Sequence, residues 1–395
     1  MTESLSSDLA LASPGRRLHV LTLTPFYPTA LDDARGCFVA EPLQLMSNLG
    51  ISHTVVVAVP FYRPFAATGS AAFPAQRKRY ISLPSGIGLP TAGGLLFASL
   101  LRTVRELHRS NPIDVIHAHA ALPCGHASAL LGRELKIPFV VTVHGLDAYF
   151  TEQVAGRAGK WCEHVSKFVY RSAASVICIS EKVRDRVLKG ASSQAKTGVV
   201  YNGVDPEKFH PAGGNSKPDS ILCVGNLIPT KGQHILLQAL AMVHANFPEV
   251  YCELIGDGPE RAKLMETAAK LNVKVLFRGR KSRAEVADAM QRCAIFALPS
   301  SYEGLGCVYL EAMASGIPPI GCRGQGIDEV IEHGANGWLV RPGSVEDLAH
   351  AISMLLQDSQ LRQDLGAQAR RTVLRGFTLA HQAEGLARIY RECAA

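Results

Sequence analysis

The sequence predicts an α/β fold, with two doubly wound parallel-sheet domains facing each other across a cleft. Three observations carry this expectation. Short apolar segments of strand composition alternate with helix-patterned segments along most of the chain. The stretch His210–Ser220 (HPAGGNSKPDS), rich in Pro, Gly and Ser, separates two apolar strands, and the alternation restarts after it. Loops containing Gly, His, Lys and Glu follow several strands directly, and open parallel sheets bind ligands beyond the carboxyl ends of their strands. The expected division is residues 1–209, residues 210–375, and a helix at 376–395 that packs back toward the first domain.

Residues 1–16 are small and polar and read as a tail. LHVLTLT (18–24) is the first buried strand. A loop, PFYPTALDDARGCF, leads to a helix at 39–49 and a second strand at 53–60, which together make a parallel βαβ unit. Residues 61–93 are expected to be irregular and contain the basic run Arg77-Lys78-Arg79-Tyr80. The helix expected at 94–109 has Leu95, Leu96, Leu100, Leu101 and Leu107 on one side and Arg102, Arg105, His108 and Arg109 on the other. A strand at 114–119, a helix at 123–135, a strand at 138–144, a basic amphipathic helix at 157–174, a strand at 175–180, a helix at 181–189 and a strand at 198–204 complete the first half. After the linker the strands are expected at 220–225, 251–256, 273–278, 294–298 and 337–340. The helices between and after them are expected at 233–245, 260–271, 283–292, from about 304 to 316, near 328–333, at 345–356, and again within 359–395.

At 395 residues, 47% hydrophobic and 19% charged, the chain has an ordinary globular composition with room for two or three domains. Its ten cysteines show no C-x-x-C pair, and Cys162, Cys178, Cys223, Cys252 and Cys293 read as buried small hydrophobes, which fits a reducing cytosol and argues against a zinc site. The N-terminus lacks a basic n-region, and the longest apolar run, 89–101, is too short to span a bilayer. The expected location is therefore cytoplasmic, with peripheral attachment at the inner face of a membrane. The net charge of +7 is uneven. Residues 1–215 hold 22 Lys+Arg against 15 Asp+Glu, and residues 216–395 hold 19 of each. The surplus suits solubility or an anionic surface facing the first half. No groove-reading motif accompanies it, so nucleic acid is not an expected partner.

The densest candidate site is PSSYEGLGCVYLEAMASGIPP (299–319). A buried strand ends there, a Gly304-Leu305-Gly306 turn opens a helix, and Glu303 and Glu311 frame the turn. A helix N-terminus presents orphan N–H groups and partial positive charge to an anion. On a helix the two carboxylates lie roughly 10–12 Å apart, suited to the two ends of one extended ligand rather than to a shared proton. Lys231, between a strand and a helix, suits a phosphate, although alone it reads as a surface lysine. Gly36 stands where a helix begins and would let backbone approach a phosphate, or is a plain turn glycine. His144 precedes Gly145 at a strand end and could donate to a sugar hydroxyl or phosphoryl oxygen; otherwise it is a structural histidine. His117 and His119 are expected on opposite faces of their strand, with His119 toward the cleft and no shared metal. No D-x-D triplet occurs, so the common acidic metal–nucleotide clamp is missing. No G-x-G-x-x-G follows a predicted strand, which disfavours a nicotinamide enzyme.

These residues resemble a known family. The E-x7-E spacing of Glu303 and Glu311, with GNLIPTKG (225–232), GDGPE (256–260), NGVD (202–205), HGLD (144–147) and GANGWLV (334–340), resembles the family 4 retaining glycosyltransferases of the GT-B fold, which has two Rossmann-like domains. HAHAALPCG followed by PFVVTVHGLD is similar to bacterial transferases that build teichuronic-acid-type and other surface polysaccharides. The resemblance covers nearly the whole chain. It implies that Glu303 and the Gly304–Gly306 backbone hold the donor sugar, that Glu311 holds the ribose, and that Lys231 and the Gly36 loop bind the diphosphate. It also implies that His144 lies by the sugar and phosphate, that Arg280 lies near the base, and that His119 and Asp147 lie on the acceptor side. His144, Glu303 and Lys231 would be the catalytic set, with no metal and no cofactor beyond the nucleotide-sugar substrate. The chain departs from the pattern at Asn226, where the family commonly has Arg, for which Arg280 or Arg323 is expected to compensate. It departs again at Gly36, which is single where the family often has a Gly pair. The implied reaction moves a sugar from a nucleotide-diphosphate donor, most simply a UDP-sugar, to a lipid-linked or polysaccharide acceptor. The competing readings are a non-catalytic nucleotide-sugar or glycan-binding relative and a nucleotide-sugar epimerase.

Overall fold

The computed structural model describes residues 17–64, 73–84, 86, 88–149, 153–191, 195–212 and 217–395. The expected N-terminal tail lies outside the described residues. In chain order the first body contains β1 (Leu18–Thr24), α1 (Cys37–Met46), β2 (Ile51–Pro60), β3 (Ala75–Tyr80), α2 (Leu89–Ser110), β4 (Val115–His119), α3 (His126–Leu135), β5 (Phe139–Val143), α4 (Gly156–Ser172), β6 (Ser175–Cys178), α5 (Glu181–Ala191) and β7 (Thr197–Val199). The second contains β8 (Ser220–Val224), α6 (Gln233–His244), β9 (Tyr251–Ile255), α7 (Arg261–Lys270), β10 (Val275–Gly279), α8 (Arg283–Arg292), β11 (Ile295–Ala297), α9 (Cys307–Ala314), β12 (Pro319–Cys322), β13 (Trp338–Val340), α10 (Val345–Gln357), α11 (Ser359–Gly376) and α12 (Leu379–Ala394).

Both sheets are parallel, with orders β3-β2-β1-β4-β5-β6-β7 and β10-β9-β8-β11-β12-β13. Each order reverses direction once, between β1 and β4 and between β8 and β11, and a crevice opens at such a switch point. The strands read as nearly unbroken apolar runs because helices cover both faces. Along β1, Val20 points into the layer holding α1 and α12, while Leu21 and Leu23 point into the layer holding α2, α3 and α4. This is the period-2 alternation of a strand buried on both sides.

The last helix, α12, packs on the first sheet although in sequence it comes after all the elements of the second. Tyr390 of α12 is fully buried, its hydroxyl lies 2.5 Å from Nδ1 of His117 in β4, and Gln382 donates to the carbonyl of Phe38 in α1. Burying a tyrosine ring contributes about 2 kcal/mol by area alone, and its hydroxyl needs a partner there. The chain therefore crosses between bodies twice.

Several elements differ from the sequence reading. Residues 75–80 form β3, which pairs with β2 in the register Val57↔Arg77. Edge strands are often charged, so β3 carries no apolar run to betray it. The helix α2 starts at Leu89, before Gly93 and Gly94, with proline in its first turn. The residues Ala121–Gly125 form a tight turn before α3, and Gly326–Glu329 form a single 3-10 turn where a helix was expected at 328–333.

Candidate functional site

The loops after β1, β5, β8, β10 and β11 meet at the two switch points and enclose a cavity of about 850 Å³. Its walls include Arg35, Phe38, His144, Asn202, Asn226, Lys231, Arg280, Arg283, Glu303, Gly304, Leu305, Gly306 and Glu311. Most of the residues singled out in sequence therefore converge, coming from loops more than 150 positions apart.

In the second body, the loop after β8 and the loop after β11 flank the switch. Lys231 reaches across it to donate to Oε1 of Glu303 at 2.5 Å, and Ser300 donates to the same oxygen at 2.9 Å. Glu303 is buried, and its main-chain N–H donates to Oε1 of Gln325 at 3.2 Å. The pair is a charge-assisted bond within a partly desolvated wall. Helix α9 starts right after Gly306 (φ 83°) with no side chain capping it, so its first N–H groups are left for a ligand. Glu311, one turn into α9, is buried, and its Oε1 accepts from Nη1 of Arg283 at 2.6 Å.

Arg283 was not singled out in sequence. It is a buried cation that ties the bodies together, since Nε and Nη2 donate to Glu41 of α1 at 3.0 and 3.2 Å. The surrounding carboxylates hold its guanidinium firmly charged, against the cost of burial. An arginine at the first position of a helix carries no local signal of this, because both partners lie far away in sequence.

In the first body, Nε2 of His144 lies 3.1 Å from Nδ1 of His119, and its ring stands against Phe38 and Phe26 at 4.7 and 5.8 Å between centroids. Burial pushes the His144 pKa down to about 3, so it faces the cavity as a neutral imidazole, and its Nδ1 has no partner. His117 and His119 do not point to opposite faces as expected. Residues two apart on a strand share a face, and their rings lie 4.3 Å apart. His117 is pinned between Tyr390 and Thr142 (2.7 Å), with its pKa pushed down to about 3 by burial. His119 is buried behind His144 and does not line the cavity.

Asp147 is buried below the same turn. One carboxylate oxygen accepts the His144 N–H at 2.9 Å, and the other has no partner among the described residues. Desolvation raises its pKa to about 7. Asp147 lines a second cavity rather than this one.

Two glycines let the walls touch. A Cβ on Gly304 would lie 2.4 Å from the His144 carbonyl oxygen, and one on Gly145 (φ 131°) would lie 2.8 Å from the Tyr302 hydroxyl. Gly36 is explained differently from the expected phosphate approach. It has φ 70°, and a Cβ there would lie 2.5 Å from the backbone of Phe26, so it is needed for chain packing; Gly36 itself does not line the cavity, whereas Arg35 and Cys37 do.

The departure at Asn226 is met in an unexpected way. Asn226 is exposed on the cavity wall. Arg280 lines the cavity, but its Nη1 donates to Asp32 at 2.8 Å, while Arg323 does not line it. The guanidiniums facing this space without a carboxylate partner among the described residues are Arg35 and Arg63 of the first body. All ten thiols are free, and burial pushes the pKa of every one of them up, which leaves them unreactive at neutral pH.

Comparison with known proteins agrees with this geometry. Residues 39–208 match the family model described as Glycosyltransferase Family 4, and residues 204–372 match that of Glycosyl transferases group 1. An uncharacterized glycosyltransferase of Methanocaldococcus jannaschii is 32% identical over 290 residues, covering 73% of this chain and 78% of the relative. A protein of Bacillus subtilis named as a teichuronic acid biosynthesis glycosyltransferase is 24% identical over 403 residues, covering 95% and 98%. The structure of Anabaena HepE in complex with UDP-glucose superposes with a TM-score of 0.74 at 22% identity, covering 95% of this chain and 100% of that one. With two facing parallel-sheet bodies and matched models spanning both, the chain belongs to the family 4 glycosyltransferases of the GT-B fold.

Proposed function

We propose that this transferase moves a sugar, with retention of anomeric configuration, from a UDP-sugar to a lipid-linked or polysaccharide acceptor, without a metal. The observation that carries the reading is the Lys231–Glu303 pair, set across the β8/β11 switch beside the uncapped start of α9. On donor binding, Lys231 turns from Glu303 to the diphosphate and Glu303 takes sugar hydroxyls. Charge then develops on the leaving diphosphate where Lys231 and the α9 N–H groups already point, which is where preorganised donors accelerate a reaction. Neutral His144 supplies a hydrogen bond at the sugar end. Glu311 meets the ribose while sharing its carboxylate with Arg283. The HepE structures in complex with UDP and with UDP-glucose support the choice of nucleotide.

The test is UDP release from a panel of UDP-sugars with glycan and lipid-linked acceptors. Turnover lost in Glu303→Ala is the expected result. Conversion of the donor with no acceptor present would instead favour an epimerase. Donor binding without turnover for any acceptor would favour a binding relative.

The same reading includes attachment to an anionic membrane. Arg157, Lys160, Trp161, His164, Phe168 and Arg171 all lie exposed at helical spacing on α4, giving a basic face with two large apolar side chains. No helix among the described residues is long and apolar enough to cross a membrane. Sedimentation with anionic vesicles at low and high salt tests this attachment. Binding that weakens with salt is expected, and no binding at low salt would refute it.

A further inference from the structure

The first body holds a second cavity, of about 360 Å³, beside the carboxyl ends of β1, β2 and β3. Arg35 and Arg63 border both this cavity and the cleft, so the two spaces adjoin. Three guanidiniums, Arg35, Arg63 and Arg77, line it, together with Tyr27, Tyr62, Tyr80, an apolar rim and Asp147.

The arginines are unusual in what they lack. Arg77 donates from Nη2 to the carbonyl of Pro28 at 3.1 Å, and its Nε is buried with no partner among the described residues. Neither Arg63 nor Arg77 has a carboxylate at ion-pair distance among the described residues. Burial and the neighbouring cations both lower the pKa of Arg35 and Arg77, and only Asp32, already engaged by Arg280, opposes this at Arg35. Gathering like charges around a cavity costs stability unless something anionic occupies it. The Arg77-Lys78-Arg79-Tyr80 run, expected to be irregular, gains its place here because β3 adds to the edge of β2 and sets Arg77 level with Val57 on the cavity wall. At the inner end, the unpartnered oxygen of Asp147 is a ready contact for a hydroxyl.

We propose that this cavity seats the acceptor and that the acceptor carries an anionic group, a phosphate or carboxylate, gripped by Arg63 and Arg77 with Arg35 at the junction. The proposal rests on the transferase reading of the adjoining cleft and narrows its acceptor class. Planar guanidiniums suit such groups by forked hydrogen bonds. The volume fits one sugar-sized unit, at the low end of ligand sites. A hydroxyl of that unit then lies between Asp147 and the cleft, toward His144.

Calorimetric titration of inorganic phosphate onto protein saturated with UDP tests this, because UDP fills the diphosphate position first. Wild type is expected to bind phosphate. Arg77→Gln and Arg63→Gln should each weaken it about tenfold or more, the loss of a charge-assisted bond, and Arg77→Lys should recover part of it. Arg77 lines only the second cavity, so UDP affinity in Arg77→Gln should stay at the wild-type value. Unchanged melting temperatures separate loss of the site from loss of the fold. Phosphate that binds only in competition with UDP, or equally to wild type and both variants, overturns the proposal. Failure of UDP itself to bind sinks the donor reading instead, and phosphate titration of unliganded wild type against Arg77→Gln then decides the cavity alone. Glucose 6-phosphate or glucuronate displacing the phosphate assigns the anion to the acceptor sugar, and displacement by short-chain phosphatidic acid alone assigns it to a lipid headgroup.

Discussion

The two walls of the cleft are built on opposite principles. The second-body wall is internally satisfied, with Lys231 on Glu303 and Arg283 on Glu311. The first body is left open: Nδ1 of His144 on the cleft, and one oxygen of Asp147 and Nε of Arg77 on the adjoining cavity, are buried and unpartnered among the described residues. A paired wall holds its geometry before any ligand arrives and exchanges one partner for another on binding. An unpaired wall holds desolvated polar groups at a cost of about 1–3 kcal/mol each, recovered only when a ligand meets them. The contrast fits a common donor chemistry on one side and a particular acceptor on the other.

The sharpest way to break the comparison is to unpair the second wall. Removing Glu303 in Glu303→Ala should lower kcat by about 100- to 1000-fold, as for loss of a group aimed at developing charge, read as UDP release. A loss smaller than tenfold would mean that Glu303 does not touch the sugar. Arg283→Ala leaves the carboxylates of Glu311 and Glu41 facing each other in a buried space. It should cost about 3–5 kcal/mol of stability, measured by urea unfolding, and a neutral result would make the ion pair dispensable.

The first wall is sharpened by pH. Burial raises the pKa of Asp147 from its ordinary 3.8 to about 7, so the native state holds the proton more tightly than the unfolded one. Its stabilisation is complete below pH 3.8 and is lost as pH rises through 7. Asp147→Asn, which is neutral throughout, should therefore gain stability relative to wild type on going from pH 5 to pH 8, by on the order of a few kcal/mol. Parallel stability profiles for the two proteins would show that Asp147 is ionised and paired. His117 and His144 work in the other direction. Burial lowers their pKa values to about 3, so stability is full above the ordinary imidazole value of 6.5 and declines as pH falls toward 3. The smallest effects concern the donor. Asn226→Arg should tighten UDP binding by about tenfold, less if Arg35 and Arg63 already neutralise the diphosphate. EDTA should leave UDP release unchanged.

The parts of the site that were readable in sequence are those carried by short contiguous motifs. YEGLG, with its following helix, announced Glu303, the uncapped N-terminus and Glu311, because strand, turn and helix all lie within one stretch. HGLD announced His144 and Asp147 in the same way, although Asp147 turned out to line the neighbouring cavity. Gly36 was expected to let backbone approach a phosphate, with a plain turn glycine as the alternative, and its packing on Phe26 accounts for it as a turn glycine. Arg283, Arg35, Arg63 and Arg77 were illegible. Each is an ordinary arginine locally, and its meaning comes from a partner, or the absence of one, on an element far away in the chain.

By itself, the sequence determined the alternation of strands and helices, the linker near 210–220 and the loops that follow the strands, since periodicity and turn chemistry are local properties. Only the tertiary structure decided that β3 joins an edge, which side chains of α12 meet the first sheet, and which charges end up paired. Those depend on register and on contacts between residues as far apart as His117 and Tyr390, and no local pattern encodes the distance between them.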